Sequence, residues 1–523
     1  MLSPNAKNLL KQRYLKDDET WGDLVDRNVN NILVNEYEEK RESVRQLIKD
    51  RVFLPNSPSL VNAGTKTNGL MACFTVGPEE DTLEDSFNSL TDIALVAKRG
   101  GGCGFTGSFL RAKNTPVAGS THGYAYGPNR FAKLVSFGMD AITQSGFRKM
   151  ALMYTLDCEH PDIEDFIYLK QTEDDTDLYN FNQSVMVSDS WMNKAFSQQG
   201  SKEEKLFHTL AESSWNNGEP GLLFSDNISS NSPYTETGQV IKTTNPCSEQ
   251  PLPAYGSCNL GSINLNHDYL NQDNTVKLNK LGKVVRDMVW YLDAVGSKNT
   301  FPTEKHKLWY EENRPIGIGI MGVADLFLRY KMEYGKRESL DFLEYLISFI
   351  YSTAVHESQR LGRILGVPEQ CKKLREPRRN MTLLSIAPTG SIAIIADCSH
   401  GIEPIFSPAF NRVDERGENY LYVHPESGKD YFVSAVGSKQ PSWKEQIDLI
   451  STCQKWIDSG VSKTINLNNN STVNDVKDCF LYAWKKNLNG ITVYRDGSRD
   501  FQILNNLPNE NDSTECPSGV CEI

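Results

Sequence analysis

The 523-residue sequence contains no run approaching the ~18 consecutive apolar residues that a membrane helix requires. Its first residues, MLSPNAKNLLKQRYLKDDETW, are polar and lack the apolar stretch of a secretory leader. Basic residues are also in short supply, with 55 Lys and Arg against 67 Asp and Glu, a net charge of −12 and a pI near 5.3. That balance argues against a chain that grips nucleic acid through its phosphates, which takes a basic stripe. It does not exclude a nucleotide ligand, because helix N-termini and backbone amides hold phosphates without many lysines. No segment is of low complexity and none repeats, so global disorder is excluded. A membrane-free, cytoplasmic setting is expected, and there eleven cysteines are not a disulfide framework.

Length allows roughly three domains of about 150 residues, or one large α/β barrel. Helical spacing predicts helices over 35–50, 81–99, 128–143, 279–296, 338–361, 443–458 and 472–487. Short β-like runs bounded by Gly, Pro and Asn predict strands at 71–76, 150–156, 183–188, 260–264, 316–320, 383–387, 392–396 and 490–494. Strands alternating with helices indicate an α/β architecture. After about residue 503 the composition turns polar and ends in Cys516-Pro-Ser-Gly-Val-Cys521-Glu-Ile, which reads as a flexible arm carrying two thiols.

Three clusters carry chemistry. In Asn245-Pro246-Cys247-Ser248-Glu249 an amide, a thiol and a carboxylate alternate, so in an extended loop they project to one side. Such a trio can bind a hydroxyl, exchange a hydrogen and act as general base. Taken alone it reads sooner as a polar loop, with Cys247 and Cys258 as unrelated buried cysteines. Pro388-Thr389-Gly390-Ser391-Ile392 offers hydroxyls and a glycine where a turn presents amides to phosphate, although many such turns bind nothing. The tail pair Cys516 and Cys521, four residues between them, permits an intramolecular disulfide, and no third or fourth ligand stands nearby for zinc.

Read together and in order, these blocks resemble the catalytic subunits of ribonucleotide reductases. The Asn245–Glu249 run with Cys258 resembles that family's finger loop and adjacent strand. Leu54-Pro-Asn-Ser-Pro-Ser-Leu-Val-Asn-Ala-Gly64 resembles the substrate-binding stretch before the first redox cysteine, here Cys73. Arg99 to Arg111 resembles a nucleotide-contacting segment, and Ser145 to Met153 the loop that relays effector identity. Ala387 to Ala393 resembles the phosphate turn, and Gly490 to Arg499 the end of the barrel.

The resemblance implies a ten-stranded α/β barrel of two antiparallel five-stranded halves over 51–503, with the Cys247 loop at its centre. A helical segment at 1–50 and a redox-active tail at 504–523 flank it. It implies Cys247 as thiyl carrier, Glu249 as base, Asn245 as hydroxyl-orienting amide, and Cys73 with Cys258 as the reducing dithiol. Cys516 and Cys521 would reload that pair from thioredoxin or glutaredoxin, through a tail with an r.m.s. reach of about 20 Å. Substrate contacts fall on Ser57, Ala72, Gly102, Ser248, Pro388, Thr389, Gly390, Ser391 and Ile392. Asp81 and Arg111 fall at a site for dNTP or ATP effectors in a homodimer. The expected reaction is reduction of ribonucleotides, preferably diphosphates.

The sequence departs from the larger relatives in three ways. No stretch of about one hundred residues precedes the core, so an activity-setting ATP-cone is expected to be absent. Ala118 stands where an effector-site arginine is expected. Tyr494 stands alone where a separate radical-generating subunit calls for a tyrosine pair, and Thr492-Val-Tyr-Arg-Asp-Gly-Ser498 resembles adenosylcobalamin-dependent class II enzymes. The cysteine tail instead resembles class I. Both adenosylcobalamin and a ferritin-like dimetal partner subunit therefore stand as radical sources, with no metal expected in this chain. The combination resembles minimal phage-type reductases, which would act in a host cytoplasm. The glycyl-radical class III fits poorly, since its C-terminal motif and cysteine cluster are missing. Two rival readings are a catalytically inactive nucleotide-binding regulatory subunit and a generic thiol–disulfide oxidoreductase. The second leaves Asn245 and Glu249 unexplained.

Overall fold

The computed structural model of the chain describes residues 2–117, 122–142, 150–170, 181–269, 276–405, 409–413, 419–423, 428–435, 439–498 and 505–506. Ten strands organise it: β1 (Phe53–Pro55), β2 (Cys73–Thr75), β3 (Gly102–Thr106), β4 (Leu152–Asp157), β5 (Phe181–Val187), β6 (Gly221–Phe224), β7 (Ser257–Asn264), β8 (Ile316–Met321), β9 (Thr464–Leu467) and β10 (Gly490–Arg495). Strands β2 to β6 pair in sequence, all parallel. A second parallel set runs β7, β8, the stretch Leu384–Ile386, the segment from Val461 into β9, and β10. The two sets meet antiparallel at both seams, β2 on β7 and β6 on β10. The ring is therefore closed and leaves no sheet edge open to another chain. Strand β1 lies outside it, antiparallel on β7. This is the expected barrel of two five-stranded halves.

Period-2 alternation sorts the strands' side chains. Cys103, Phe105, Leu152, Tyr154, Leu156 and Phe181 are buried in the main core outside the ring. There Phe105 stacks on Tyr154 at 4.9 Å and meets Phe131 edge-on. The alternate positions, among them Gly102, Gly104, Thr155 and Asn182, face the lumen.

The lumen is filled by a hairpin, Ile241–Thr244 against Pro251–Pro253. A β-carbon placed on Gly104 would overlap the carbonyl oxygen of Thr244, and one on Gly460 would lie 2.7 Å from Ser248 O. Glycine is required at both positions because the hairpin backbone passes where a side chain would stand. The hairpin touches both halves: Thr155 Oγ1 donates to Lys242 O at 2.8 Å from β4, and Gly460 N donates to Glu249 O at 2.8 Å from beside β9.

Helices Pro4–Arg13, Trp21–Ile32 and Arg41–Lys49 form the N-terminal segment. Thr20 and Asp23 close a reciprocal capping box on the second, which buries Leu24, Val25, Val29 and Ile32. The segment is pinned to the barrel's helices: Tyr37 OH donates to Asp293 Oδ2 at 2.6 Å. Burial alone would raise the Asp293 pKa, but Arg314 and Arg379 outweigh it and hold that carboxyl at about 2.

Several sequence expectations are corrected. The stretch 392–396 is part of a helix, Gly390–Ala396, not a strand. Its run Ile-Ala-Ile-Ile-Ala fits either state, and Thr389 in the left-handed conformation starts the turn. The 35–50 helix is a 3-10 turn, Asn35–Lys40, followed by Arg41–Lys49. The 383–387 strand is reduced to bridges at Leu384 and Ile386, and β3, β6, β9 and the first two helices were not anticipated. Among the described residues, no helix is long and apolar enough to cross a membrane.

Candidate active site

Cys73 and Cys258 face each other directly across the β2–β7 seam. Opposed residues of an antiparallel pair have Cα atoms about 4.5–5.5 Å apart, within the span of a disulfide. Both are free thiols and buried. They form a small lumen cluster with Leu260, against which Ala72 and Ala387 pack. The expected redox pair, the expected substrate contact Ala72 and Ala387, which precedes the Pro388 turn, therefore meet at one place.

The finger tip stands over this pair. Asn245 Nδ2 donates to Cys73 Sγ at 3.2 Å, and Cys73 Sγ donates to Glu249 Oε1 at 3.8 Å. Asn245 and Glu249 are 2% exposed, whereas Cys247 is exposed. The extended-loop expectation fails here, because the tip is a tight turn. Ser248 N donates to Asn245 O, Asn245 N to Gln250 O, and Gln250 N to Asn245 Oδ1. Ser248 takes a positive φ of 65°. The trio is grouped by this turn and not by strand alternation.

Burial governs the electrostatics of the Cys73–Cys258 pair. Burial, reinforced by Glu249 and the neighbouring cysteines, pushes the Cys73 thiol well above its ordinary pKa. Burial, then Asp458 and Glu249, does the same for Cys258. Both therefore remain protonated at neutral pH and can give up hydrogen. Asp458 is itself buried beneath Arg378 and accepts the backbone N–H groups of Leu383 and Leu384, holding the closing stretch of the barrel behind Cys258.

The other expected residues distribute as follows. Gly102 lies under the Pro246 ring, where a β-carbon would approach to 3.0 Å. Ser57 opens the helix Ser57–Asn62, and its hydroxyl pairs with Tyr14 OH at 2.7 Å. The preceding Asn56 N donates to Leu260 O. Pro388 and Gly390 are exposed, Ser391 half-buried and Ile392 buried. The Thr389 hydroxyl is already engaged, accepting at 2.8 Å from the N–H of Gly401, beyond the following helix. Tyr494 is half-buried on β10 and shares its face with Thr492, two residues before it, whose Oγ1 a β-carbon on Gly221 would meet inside the ring. Asp81 and Arg111 lie apart from the lumen and pair with each other at 2.6 Å. Cys516, Cys521, Ala118 and the 145–149 part of the effector-relay stretch lie outside the described residues. Of the remaining cysteines among the described residues, Cys103, Cys158, Cys371, Cys453 and Cys479 are buried and Cys398 partly so.

Sequence reasoning missed Asn182, Ser385, Gly460 and Asp458, which contact the tip or the redox pair's wall. Only the strand alternation around Asn182 offered a signal. Among the described residues no group of three His, Cys, Asp or Glu is placed to hold a metal ion.

Comparison with known proteins fits this geometry. The ribonucleotide reductase barrel-domain model matches residues 71–200, 194–374 and 371–494, and the ribonucleotide reductase all-alpha domain model matches 1–68. The chain is 35% identical to a vitamin B12-dependent ribonucleoside-diphosphate reductase of Thermoplasma acidophilum, over 96% of this chain and 72% of that one. It is 33% identical to a Mycobacterium tuberculosis protein of the same description, over 96% and 80%. Its fold matches an Actinobacillus ureae class Id ribonucleotide reductase alpha subunit with a TM-score of 0.81 at 19% identity, covering 95% and 97% of the two chains. On its two matched domains and these relatives, the chain belongs to the ribonucleotide reductase large-subunit family.

Proposed function

We propose that this chain reduces ribonucleoside diphosphates to 2′-deoxyribonucleotides, with Cys247 carrying a transient thiyl radical and Cys73 with Cys258 as the two-electron reductant. The observation that carries the reading is the placement of an exposed cysteine on a buried turn, directly over two opposed, protonated thiols. Cys247 removes the ribose 3′ hydrogen and later returns it, so it is not consumed. Glu249 accepts the 3′-hydroxyl proton and Asn245 orients the hydroxyls. The Cys73–Cys258 dithiol protonates the departing 2′-hydroxyl, which leaves as water, and supplies two electrons, ending as a disulfide. An inactive regulatory subunit has no use for this arrangement.

Substrate phosphates are assigned to the Pro388–Ile392 turn, with Ser57, Ala72, Gly102 and Ser248 along the sugar and base. Pro388 and Gly390 are exposed, and a β-carbon on Gly390 would meet nothing within 4 Å, which leaves the turn accessible. Adenosylcobalamin is the radical source most consistent with the relatives. Cys247 is exposed, and Thr492 and Tyr494 are the wall residues such a cofactor would meet. When bound, it would supply the radical that oxidises Cys247. Cys516 and Cys521 then pass electrons from thioredoxin or glutaredoxin to the disulfide. Functionally the chain divides into helices at 1–50, a barrel at 51–503 and a redox tail at 504–523, working in a cytoplasm.

A second copy of the chain is assigned to the packed helices Leu83–Lys98 and Pro128–Ile142, which expose Leu83 (71%), Phe87 (52%) and Phe137 (67%), the first of them two residues from Asp81 of the Asp81–Arg111 pair. Exposed apolar groups of this size on two packed helices fit an interface, and effectors are assigned beside it.

The test is anaerobic reduction of CDP and CTP by the purified chain with dithiothreitol, with and without adenosylcobalamin. Deoxynucleotide from CDP only with the cobalamin supports the reading. No product in either case, from protein that binds nucleotide, moves the radical source to a ferritin-like partner.

A further inference from the structure

Hydrogen transfer to and from Cys247 depends on where its sulfur sits, and an ångström of misplacement costs about a hundredfold in rate. Yet Cys247 stands at the end of a two-stranded hairpin, an element that is marginal by itself. The hydrogen bonds within the tip shape the turn but do not fasten it to the barrel.

We propose that Asn182 and Ser385 are positioning residues for the hydrogen-transfer step, clamping the finger tip from opposite halves of the barrel. The inference rests on the roles assigned above to Cys247 and Glu249. From the first half, Asn182 on β5 donates its Nδ2 to Pro246 O at 2.7 Å, the carbonyl immediately before Cys247. From the second half, Ser385 Oγ donates to Glu249 O at 2.9 Å, and Gly460 N donates to the same oxygen at 2.8 Å. The two clamped carbonyls bracket the thiol and the base. Gly102 completes the seat, since the Pro246 ring rests where its side chain would be.

Asn182 is itself exposed in the lumen, so its carboxamide does not serve to fill a core. Ser385, in contrast, is 1% exposed and shares its acceptor with Gly460. The clamp is therefore asymmetric. Removing Asn182 releases the Cys247 side, whereas removing the Ser385 hydroxyl leaves the Gly460 bond in place.

The test compares the full-length chain with Asn182→Ala, Asn182→Asp and Ser385→Ala. Three quantities are read: kcat and KM for CDP, the isotope effect with 3′-deuterated CDP, and hydrogen exchange along the chain without nucleotide or cofactor. Asn182→Ala should lower kcat at least about tenfold with KM within about twofold, and should raise the isotope effect as hydrogen abstraction becomes limiting. Exchange should quicken in 241–253 and not in the surrounding strands. Asn182→Asp, isosteric but with no N–H to give, should fall at least as far. Ser385→Ala should fall only about two- to threefold. Because the isotope effect does not depend on how much protein is folded, a merely structural loss leaves it at the wild-type value. Unchanged kcat and isotope effect in Asn182→Ala, or exchange rising throughout the barrel, would overturn the clamp while wild-type turnover keeps the catalytic reading. A wild-type chain that makes no deoxynucleotide would strike that underlying reading instead.

Discussion

The two kinds of cysteine in the lumen occupy opposite environments on opposite kinds of structure. Cys247 sits on a turn, exposed, its neighbours Asn245 and Glu249 buried on either side. Cys73 and Cys258 sit on strands, buried and locked in register across the seam that joins the half-barrels. A radical carrier must be reached by both its oxidant and its substrate. A reducing pair must keep its protons and must close a disulfide without moving backbone. The difference teaches that burial and backbone alone fit three residues of one type to the two duties proposed for them.

The sharpest way to break this comparison is Cys247→Ser, which keeps the turn and removes the S–H bond. Product formation should vanish while the Kd for nucleotide stays within about twofold. Wild-type-like turnover would end the radical role. Next in size is Gly104→Ala, which drives a methyl into the Thr244 carbonyl and displaces the exposed cysteine while leaving the buried pair in register. Turnover should collapse, with a stability loss of about 1–3 kcal/mol in urea titration. The buried pair is isolated by Cys516→Ser with Cys521→Ser. Thioredoxin-driven reduction should stop after about one product per chain, because the internal dithiol is spent and not reloaded. Continued turnover would show that the tail is dispensable.

The smallest effect concerns the packing behind the pair. His306 is fully buried, its Nε2 on Thr75 O at 3.1 Å and its Nδ1 on Thr303 Oγ1 at 2.7 Å. Burial lowers its pKa from 6.5 to about 4, so it is neutral when folded. The stability this lends is complete above pH 6.5 and is lost as pH falls toward 4, up to about 3 kcal/mol. Urea midpoints measured from pH 7 to 4.5 should converge between wild type and His306→Gln as pH falls. A constant gap would contradict the assignment.

The grouping of the candidate site residues was more legible than the scaffold. Asn245, Cys247, Glu249 and Cys258 stand in one short stretch, and Cys73 follows its own motif. The ten-stranded ring was legible only through the family resemblance. Strand β3 hid in a glycine cluster, because Gly102 and Gly104 look like loop residues when in fact they make room for the finger. Strand β6 is four residues, and the Leu384–Ile386 stretch pairs through single bridges held by Asp458. The turn at Ser248 depends on a positive φ that a serine does not advertise. Ser385 reaches Glu249 across 136 residues, a contact that no local pattern encodes.

The most direct measurement is a single anaerobic turnover by the dithiol-reduced Cys516→Ser/Cys521→Ser chain with CDP and adenosylcobalamin and no external reductant, followed by alkylation and peptide mapping. The account predicts a Cys73–Cys258 linked peptide in step with deoxynucleotide formed, and Cys247 recovered as an alkylated thiol. Deoxynucleotide with Cys73 and Cys258 both alkylated, or a disulfide that includes Cys247, would contradict it.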